Sequence, residues 1–329
     1  MALVEIENLK TYFYKKNSIF HKMLDKGPLT VRAVDGISFA VDKKDTFALV
    51  GGSGCGKTTV ARSVLRLVEP DAGSIKFKGK DIYNFTKQEI KEFRKNAQLI
   101  LQDPRSSLNP RLIVEELISE PFYIHGLVDN DFDLLNRVWD LLDTVGLSKR
   151  YSELFPHELS GGQARRVGIA RALALKPEFI VCDEPTSGLD VSIMSAVLNL
   201  MQELQDKYDL TYLWISHNLQ VVRHISNKIG VMYLGKLVEL GNSEKIFSNP
   251  LHPYTKALFS SIHRVEDRKK NKREILPGEV PSPINPPKGC SFNPRCKYRM
   301  EICPKKEPQL EEESENQLVS CWLYNQPDT

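Results

Sequence analysis

No stretch of this sequence approaches the roughly 18 consecutive apolar residues of a membrane-spanning helix, so any membrane role must come through partner subunits. The first residues, Met1-Ala-Leu-Val-Glu-Ile-Glu-Asn8, have neither the basic start nor the apolar run of a secretory signal, which predicts a cytosolic chain. Neither sign of charge is in excess. Lys and Arg number 45 against 42 Asp and Glu, a formal +3, so composition gives no electrostatic case for nucleic acid. There is no internal repeat. Cysteine is scarce through most of the chain, with Cys55 and Cys182 standing apart, and then Cys290, Cys296, Cys303 and Cys321 gather near the end. In a reducing cytosol such a cluster reads as metal-binding before it reads as disulfides.

What is present is ordinary globular material, 41% hydrophobic and 26% charged, enough for a large core. From Leu3 to about residue 245, apolar strand-like runs alternate with helical patterns, which predicts an α/β core. Residues 31–41 and 46–50 read as strands, Thr59 to Val68 and Ser192 to Tyr208 as helices. Asp103 to about Leu159 is mostly helical in pattern, an insertion between two strand–loop segments. Beyond 246 come a helix from Tyr254 to Ile262, a charged run at 266–274 and a passage with Pro277, Pro281, Pro283, Pro286 and Pro287, which forbids regular helix. The expected division is a core at 1–245, with a helical subdomain at about 103–160, and an extension at 246–329.

Gly51-Gly-Ser-Gly-Cys-Gly-Lys-Thr58 fits G-x-x-x-x-G-K-[ST] between a strand and a helix, as a phosphate-binding loop requires. Glycines let the backbone wrap phosphate oxygens closely, and successive N–H groups serve as donors. Lys57 would reach the β and γ phosphates and the Thr58 hydroxyl would ligate Mg²⁺, with the loop and Thr59 completing the ATP-binding set (Gly51, Gly52, Ser53, Gly54, Cys55, Gly56, Lys57, Thr58, Thr59). Phe179-Ile-Val-Cys-Asp-Glu184 is an apolar run ending in two acids, and a buried strand delivers such carboxylates beside a ligand at its C-terminal edge. Asp183 is suited to hold Mg²⁺ and Glu184 to polarise the attacking water.

With Leu159-Ser-Gly-Gly-Gln163 the set becomes specific. Ser160 suits a helix N-cap, and Gly161 and Gly162 expose N–H groups at the start of a helix ending near Lys176. That is a second anion site, redundant in one chain already holding a phosphate loop. The order of loop, Gln102, Leu159–Gln163, Asp183-Glu184, Ser187-Gly-Leu-Asp190 and His217 resembles the ATPase subunits of ABC transporters across residues 3 to 245. The resemblance implies an ABC ATPase fold with an antiparallel β subdomain and a helical subdomain. It also implies two ATPs buried between head-to-tail subunits, each signature (Ser160, Gly161, Gly162, Gln163) closing over the partner's nucleotide. By the same resemblance Gln102 senses Mg²⁺ and couples to the membrane subunits, and His217 contacts the γ-phosphate. Asp190 communicates between sites, and Phe13 stacks on adenine beside Tyr12 and Tyr14.

Residues 102–110 (Gln-Asp-Pro-Arg-Ser-Ser-Leu-Asn-Pro), His252-Pro-Tyr-Thr-Lys-Ala-Leu258 and Gly289-Cys-Ser-Phe-Asn-Pro-Arg-Cys296 are similar to oligopeptide and dipeptide importer ATPases, and the insertion from Lys15 to Thr30 suits one of their two paired types. Such importers pair two different ATPases with two membrane permeases and an extracytoplasmic binding protein. That places this chain at the cell membrane, peripheral on the cytoplasmic side. Relatives carry nickel or other small solutes, and the other classes to weigh are a sensor protein built around the cysteine cluster, with ATP only as a switch, and a soluble ABC protein of translation or DNA repair. Those of translation usually have two cassettes per chain, those of repair long coiled coils between loop and signature; neither pattern is present. Departures from the family are Gly52 for the usual Glu, Thr58 for Ser, and Ala164-Arg-Arg166 for a more usual Arg-Gln-Arg; none removes a catalytic group. The spacing Cys290-x₅-Cys296-x₆-Cys303-x₁₇-Cys321 is wider than ordinary zinc pairs and, with the resemblance, favours a [4Fe–4S] cluster over Zn²⁺ or unliganded thiols.

Overall fold

The chain begins on two long strands, β1 (Ala2–Lys15) and β2 (Leu29–Asp42). In β2, Ile37, Phe39 and Val41 are buried while Ser38 and Ala40 are exposed, the alternation of a strand with one face on a core. β3 (Thr46–Val50) is buried throughout, as parallel-sheet interiors are. It feeds α1 (Lys57–Val64), β4 (Ala72–Phe77) and β5 (Lys80–Asp81). Next comes α2 (Lys87–Asn96), started by a capping box between Thr86 and Glu89. β6 (Ala97–Ile100) leads into helices α3 (Pro104–Ser107), α4 (Val114–His125), α5 (Asp131–Thr144) and α6 (Gly161–Leu173). Then follow β7 (Phe179–Asp183), α7 (Val191–Tyr208), β8 (Thr211–Ser216), α8 (Leu219–Ile225), β9 (Lys228–Tyr233) and β10 (Lys236–Asn242). The extension contributes α9 (Ser243–Ser248), α10 (Pro253–Phe259), β11 (Glu311–Ser314) and β12 (Gln317–Val319). This computed structural model describes residues 1–15, 29–128, 130–260 and 276–324.

The chain forms two compact units. One comprises Asp42–Thr46 and Asn84–Ile215, with Met1. Its strands run in the order β8-β7-β6, parallel, with Phe179 level with Ala97 on one side and Thr211 on the other. The helices predicted between 103 and 159 are present, and Phe122, Leu134 and Ala174 form a small apolar cluster there with Leu127, Val128 and Leu141.

The other unit comprises Ala2–Val41, Phe47–Tyr83 and Ser216–Thr329. It contains the antiparallel sheet that the family resemblance implies, in the order β2-β1-β4-β5, and a second set of strands in the order β11-β12-β10-β9-β3. β3 lies parallel to β9, β9 antiparallel to β10, and β10 antiparallel to β12 with Leu240 opposite Leu318. The cysteine-bearing tail therefore adds its strands to the sheet that contains the phosphate-loop strand. At the edge, all four residues of β11, Glu311 to Ser314, are exposed.

Several predicted boundaries move. α1 stops at Val64 and not Val68, because Arg66 takes φ 54° and the Leu67 N–H returns to the Arg62 carbonyl (2.8 Å), a left-handed cap made without glycine. α6 stops at Leu173 and not near Lys176, which has φ 51°. α10 begins at Pro253, and the end of the helix expected to reach Ile262 lies outside the described residues, as do the charged run at 266–274 and most of the insertion at 15–30. Residues 277–287 carry no helix or strand, as their prolines require.

Candidate functional site

In the second unit the chain leaves β3 at Val50 and turns into α1. Gly56 is the N-cap of α1, at φ 111°, and no side chain caps the first turn. A Cβ at Gly56 would stand 2.0 Å from the Ala33 carbonyl oxygen, so only glycine allows the loop to pass β2 this closely. An uncapped helix start leaves backbone N–H groups for a ligand to satisfy. Lys57 is only 6% exposed, and its ammonium donates to the carbonyls of Gly51 (2.9 Å) and Gly52 (3.0 Å). A phosphate oxygen offers that cation a full negative charge in place of two dipoles.

Gly52, Ser53, Gly54 and Thr58 are exposed, while Cys55 is buried and its thiol is pushed up by burial, which keeps it neutral and a packing group. Phe13 stands 44% exposed on β1; the hydroxyls of its neighbours are committed, Tyr12 to Asp35 (2.6 Å) and Tyr14 to Asp71 (2.8 Å). Of the three aromatic candidates, Phe13 is the one whose exposed ring has no polar group. His217 is exposed at the end of β8, beside Asn218, which caps α8 through the N–H groups of Gln220 and Val221.

In the first unit, β7 delivers both acids. Asp183 is 6% exposed at the strand's last position. Glu184 has φ 49°, a conformation costing a residue with a Cβ about 1–3 kcal/mol. The backbone is held there by the Glu184 N–H to the Ile215 carbonyl (2.9 Å) and by its own carbonyl accepting from the Ser187 N–H (3.1 Å). Gln102, 82 positions earlier, donates from Nε2 to Glu184 Oε2 at 2.9 Å, so the structure brings these two sequence-predicted residues together. Within this unit the Asp183 carboxylate and the Gln102 amide oxygen are hard oxygen donors, the kind that suits Mg²⁺.

The signature is also in the first unit. Ser160 is the N-cap of α6, as expected: its Oγ accepts from the Gln163 N–H (3.3 Å), and the Ser160 N–H donates to Gln163 Oε1 (2.8 Å). The Gln163 amide then donates to the Tyr151 hydroxyl (3.0 Å). Gly161 is exposed with open space where a Cβ would go, whereas a Cβ on Gly162 would stand 3.0 Å from Ile193 in the first turn of α7. Asp190 caps α7, its Oδ1 accepting from the Ser192 hydroxyl (2.6 Å) and the Ile193 N–H (2.9 Å); those bonds, the hydroxyl's first, hold its carboxyl below the usual range.

Sequence reasoning passed over Arg165. It is 2% exposed on α6, and its guanidinium donates to the carbonyls of Leu101 (3.0 Å) and Ser187 (3.2 Å). One side chain thus ties the signature helix to the residue before Gln102 and to the segment after Glu184. The available signal was the departure Ala164-Arg-Arg166, noted without a function.

In the second unit Cys290, Cys296, Cys303 and Cys321 all line one cavity of about 10 Å³. Burial pushes the Cys290 thiol up to about 12 and the Cys321 thiol up to about 11. Among the described residues, no three His, Cys, Asp or Glu side chains gather as a metal site. The expected iron–sulfur or zinc centre therefore has no support from side-chain geometry. The sulfurs line the cavity wall without three of them converging on a common point. The donor set itself, four sulfurs around one cavity, has the chemistry such a group takes.

Comparison with known proteins agrees with this geometry. Residues 34–187 match the ABC transporter family, and residues 238–303 match the oligopeptide/dipeptide transporter C-terminal region. The chain is 47% identical over 327 residues to the oligopeptide transport ATP-binding protein AppF of Bacillus subtilis, covering 98% of each. It is 42% identical to the dipeptide transport ATP-binding protein DppF of Haemophilus influenzae and 43% identical to the oligopeptide transport ATP-binding protein OppF of Escherichia coli, covering 97% of this chain and 96% of each relative. Among solved structures, cbiO1 of Clostridium perfringens, part of an ABC transporter complex, aligns with a TM-score of 0.63 at 25% identity over 75% of this chain and 91% of that one. A dimeric ATP-binding cassette bound to ADP and Pi shares the fold, with a TM-score of 0.64 at 22% identity over 73% of this chain and 98% of that one. The chain belongs to the ATP-binding proteins of ABC transporters, in their oligopeptide/dipeptide branch.

Proposed function

We propose that this chain hydrolyses ATP as one of two different ATPase subunits that power peptide import, through two membrane permeases supplied by an extracytoplasmic binding protein. The observation that carries the reading is full-length likeness to relatives named for oligopeptide and dipeptide transport. In this reading Lys57 and backbone N–H groups of the loop at 51–59, apart from that of Gly52, which donates to the Tyr254 hydroxyl, take the phosphates, and Phe13 stacks on the adenine. Thr58, Gln102 and Asp183 would hold Mg²⁺, which when bound neutralises charge on the transferring phosphoryl group. Glu184 orients and polarises the attacking water, its direction fixed by Gln102 and by a strained backbone, and His217 contacts the γ-phosphate. Positioning of this kind is most of what phosphoryl transfer asks of a protein. Ser160, Gly161, Gly162, Gln163 and Asp190 act on the nucleotide held by the partner ATPase.

Among the described residues no helix is long and apolar enough to cross a membrane. Attachment to the cytoplasmic face of the membrane comes in this reading from the permeases. The tail cysteines would hold a [4Fe–4S] cluster as thiolates, which when bound would cross-link an arm that has little core of its own. What supports this is the donor type, four cysteine sulfurs along one cavity, and not their spacing.

Three measurements test the reading. Glu184→Gln retains ATP binding and lowers hydrolysis at least about 100-fold; undiminished turnover sinks the assigned role. Two integral membrane proteins copurify with the tagged chain from detergent extracts, and uptake follows labelled peptide. Recovery as a lone homodimer, or uptake of nickel in place of peptide, overturns the transport assignment. Anaerobically purified protein contains iron and acid-labile sulfide; stoichiometric zinc without iron overturns the cluster.

A further inference from the structure

The segment His252-Pro-Tyr-Thr-Lys-Ala-Leu258 serves above only as a mark of kinship, yet it touches the phosphate loop. Tyr254 is 5% exposed on α10, and its phenol oxygen accepts the Gly52 N–H at 2.9 Å across 202 positions of sequence. The placement of this side chain is fixed from below. Glu239 on β10, 0% exposed, accepts from the N–H groups of Leu251 (2.9 Å) and His252 (2.9 Å) and from the Gln317 amide (2.8 Å). The Tyr254 N–H donates in turn to His252 Nδ1 (3.0 Å). A carboxylate that accepts three donors in a buried place makes a rigid footing.

The ring of Tyr254 is wedged between Tyr233 (centroids 4.7 Å apart) and Phe292 (5.6 Å). Phe292 is 1% exposed, packs edge-on to Tyr233 at 5.3 Å, and is two residues from Cys290. At the other end Gly52, where the family usually has Glu, carries no side chain, and a Cβ there would lie 3.4 Å from the Tyr254 hydroxyl. A glycine pair at the start of the loop is the part with most conformational freedom to lose on binding nucleotide.

We infer that Tyr254 is a positioning residue of the ATP site: its hydroxyl holds the first turn of the phosphate loop through Gly52, and its ring ties that loop to the four-cysteine lobe through Phe292. The inference rests on the reading that the loop at 51–58 binds ATP, and it adds a contact from the extension to that loop. Preorganisation of this sort appears in nucleotide affinity, because the loop's ordering cost is met before ATP arrives.

The test uses the full chain and, for kinetics, the assembled transporter. Tyr254→Phe keeps the ring contacts and removes the acceptor. The dissociation constant for Mg·ATP is expected to rise about five- to tenfold, and KM for ATP to rise with kcat unchanged. The melting temperature of the nucleotide-free chain is expected to stay within about 2 °C of wild type. Phe292→Leu is expected to raise the same dissociation constant, and the double variant to rise by less than the product of the two, as coupled residues do. An unchanged dissociation constant in Tyr254→Phe overturns the proposal. So does a rise matched by a drop in melting temperature, or strictly multiplicative effects of the two substitutions. Wild-type chain that binds no ATP, with Lys57→Ala indistinguishable from it, would instead sink the ATP reading on which the proposal rests.

Discussion

Two helices of this protein carry glycine at or beside their N-caps, and they start in opposite ways. α1 begins at Gly56 with no side-chain cap, and the adjacent cation, Lys57, is held by loop carbonyls. α6 begins at Ser160 with a complete capping box, and Gln163 is further tied to Tyr151. The first start leaves its donors for a ligand, so the ligand serves as its cap. The second has already satisfied part of its own end and presents a serine and an open Gly161 outward. A helix that is complete without a ligand can close over one carried by another subunit, and can leave again. Under the proposed function, the difference is that of a phosphate loop built to hold and a signature built to visit.

The largest effect that would break this contrast is at Gly56. Gly56→Ala places a methyl group 2.0 Å from the Ala33 carbonyl oxygen at φ 111°. It is expected to cost about 2–4 kcal/mol in chemical denaturation and to abolish ATP binding. Next is Arg165, which anchors the signature helix to the carbonyls of Leu101 and Ser187. Arg165→Gln restores the middle residue of the more usual family pattern but leaves two part-buried carbonyls short of a donor, and is expected to cost about 1–3 kcal/mol and to lower ATP turnover. Full stability and turnover would show that the anchor is dispensable. Smallest in stability is Gly161→Ala. Nothing lies within 4 Å of the added methyl, and the position is the first of a helix, so the chain is expected to be unchanged or stabilised by up to about 1 kcal/mol. ATP hydrolysis by the paired ATPases is nonetheless expected to fall. Thermal melting with an ATPase assay reads both, and unimpaired turnover would remove Gly161 from the contact with the partner's nucleotide.

Much of this was legible in the sequence because the chemistry demands particular residues. Strand β3, the glycine loop, the acids ending β7 and the Ser160 cap are each set by local patterns of burial, φ angle or capping. What escaped was non-local or atypical. α1 ends at a left-handed Arg66, where glycine would have been the signal. The strained Glu184 has the identity of a catalytic base but no sequence mark of its backbone. Arg165 and Tyr254 act on carbonyls and an N–H far away in the chain, which no periodicity can show. The tail cysteines were legible as a cluster, and the structure gathers them on one cavity without forming a metal site.

The outer strand β11 has a consequence of its own. It ends its sheet with Glu311, Glu312 and Glu313 all exposed and charged alike, followed by Ser314. A row of carboxylates on a free edge repels a second copy of itself and discourages stray strands from adding on. The tail that carries the cysteines therefore also guards the edge of its sheet against self-association.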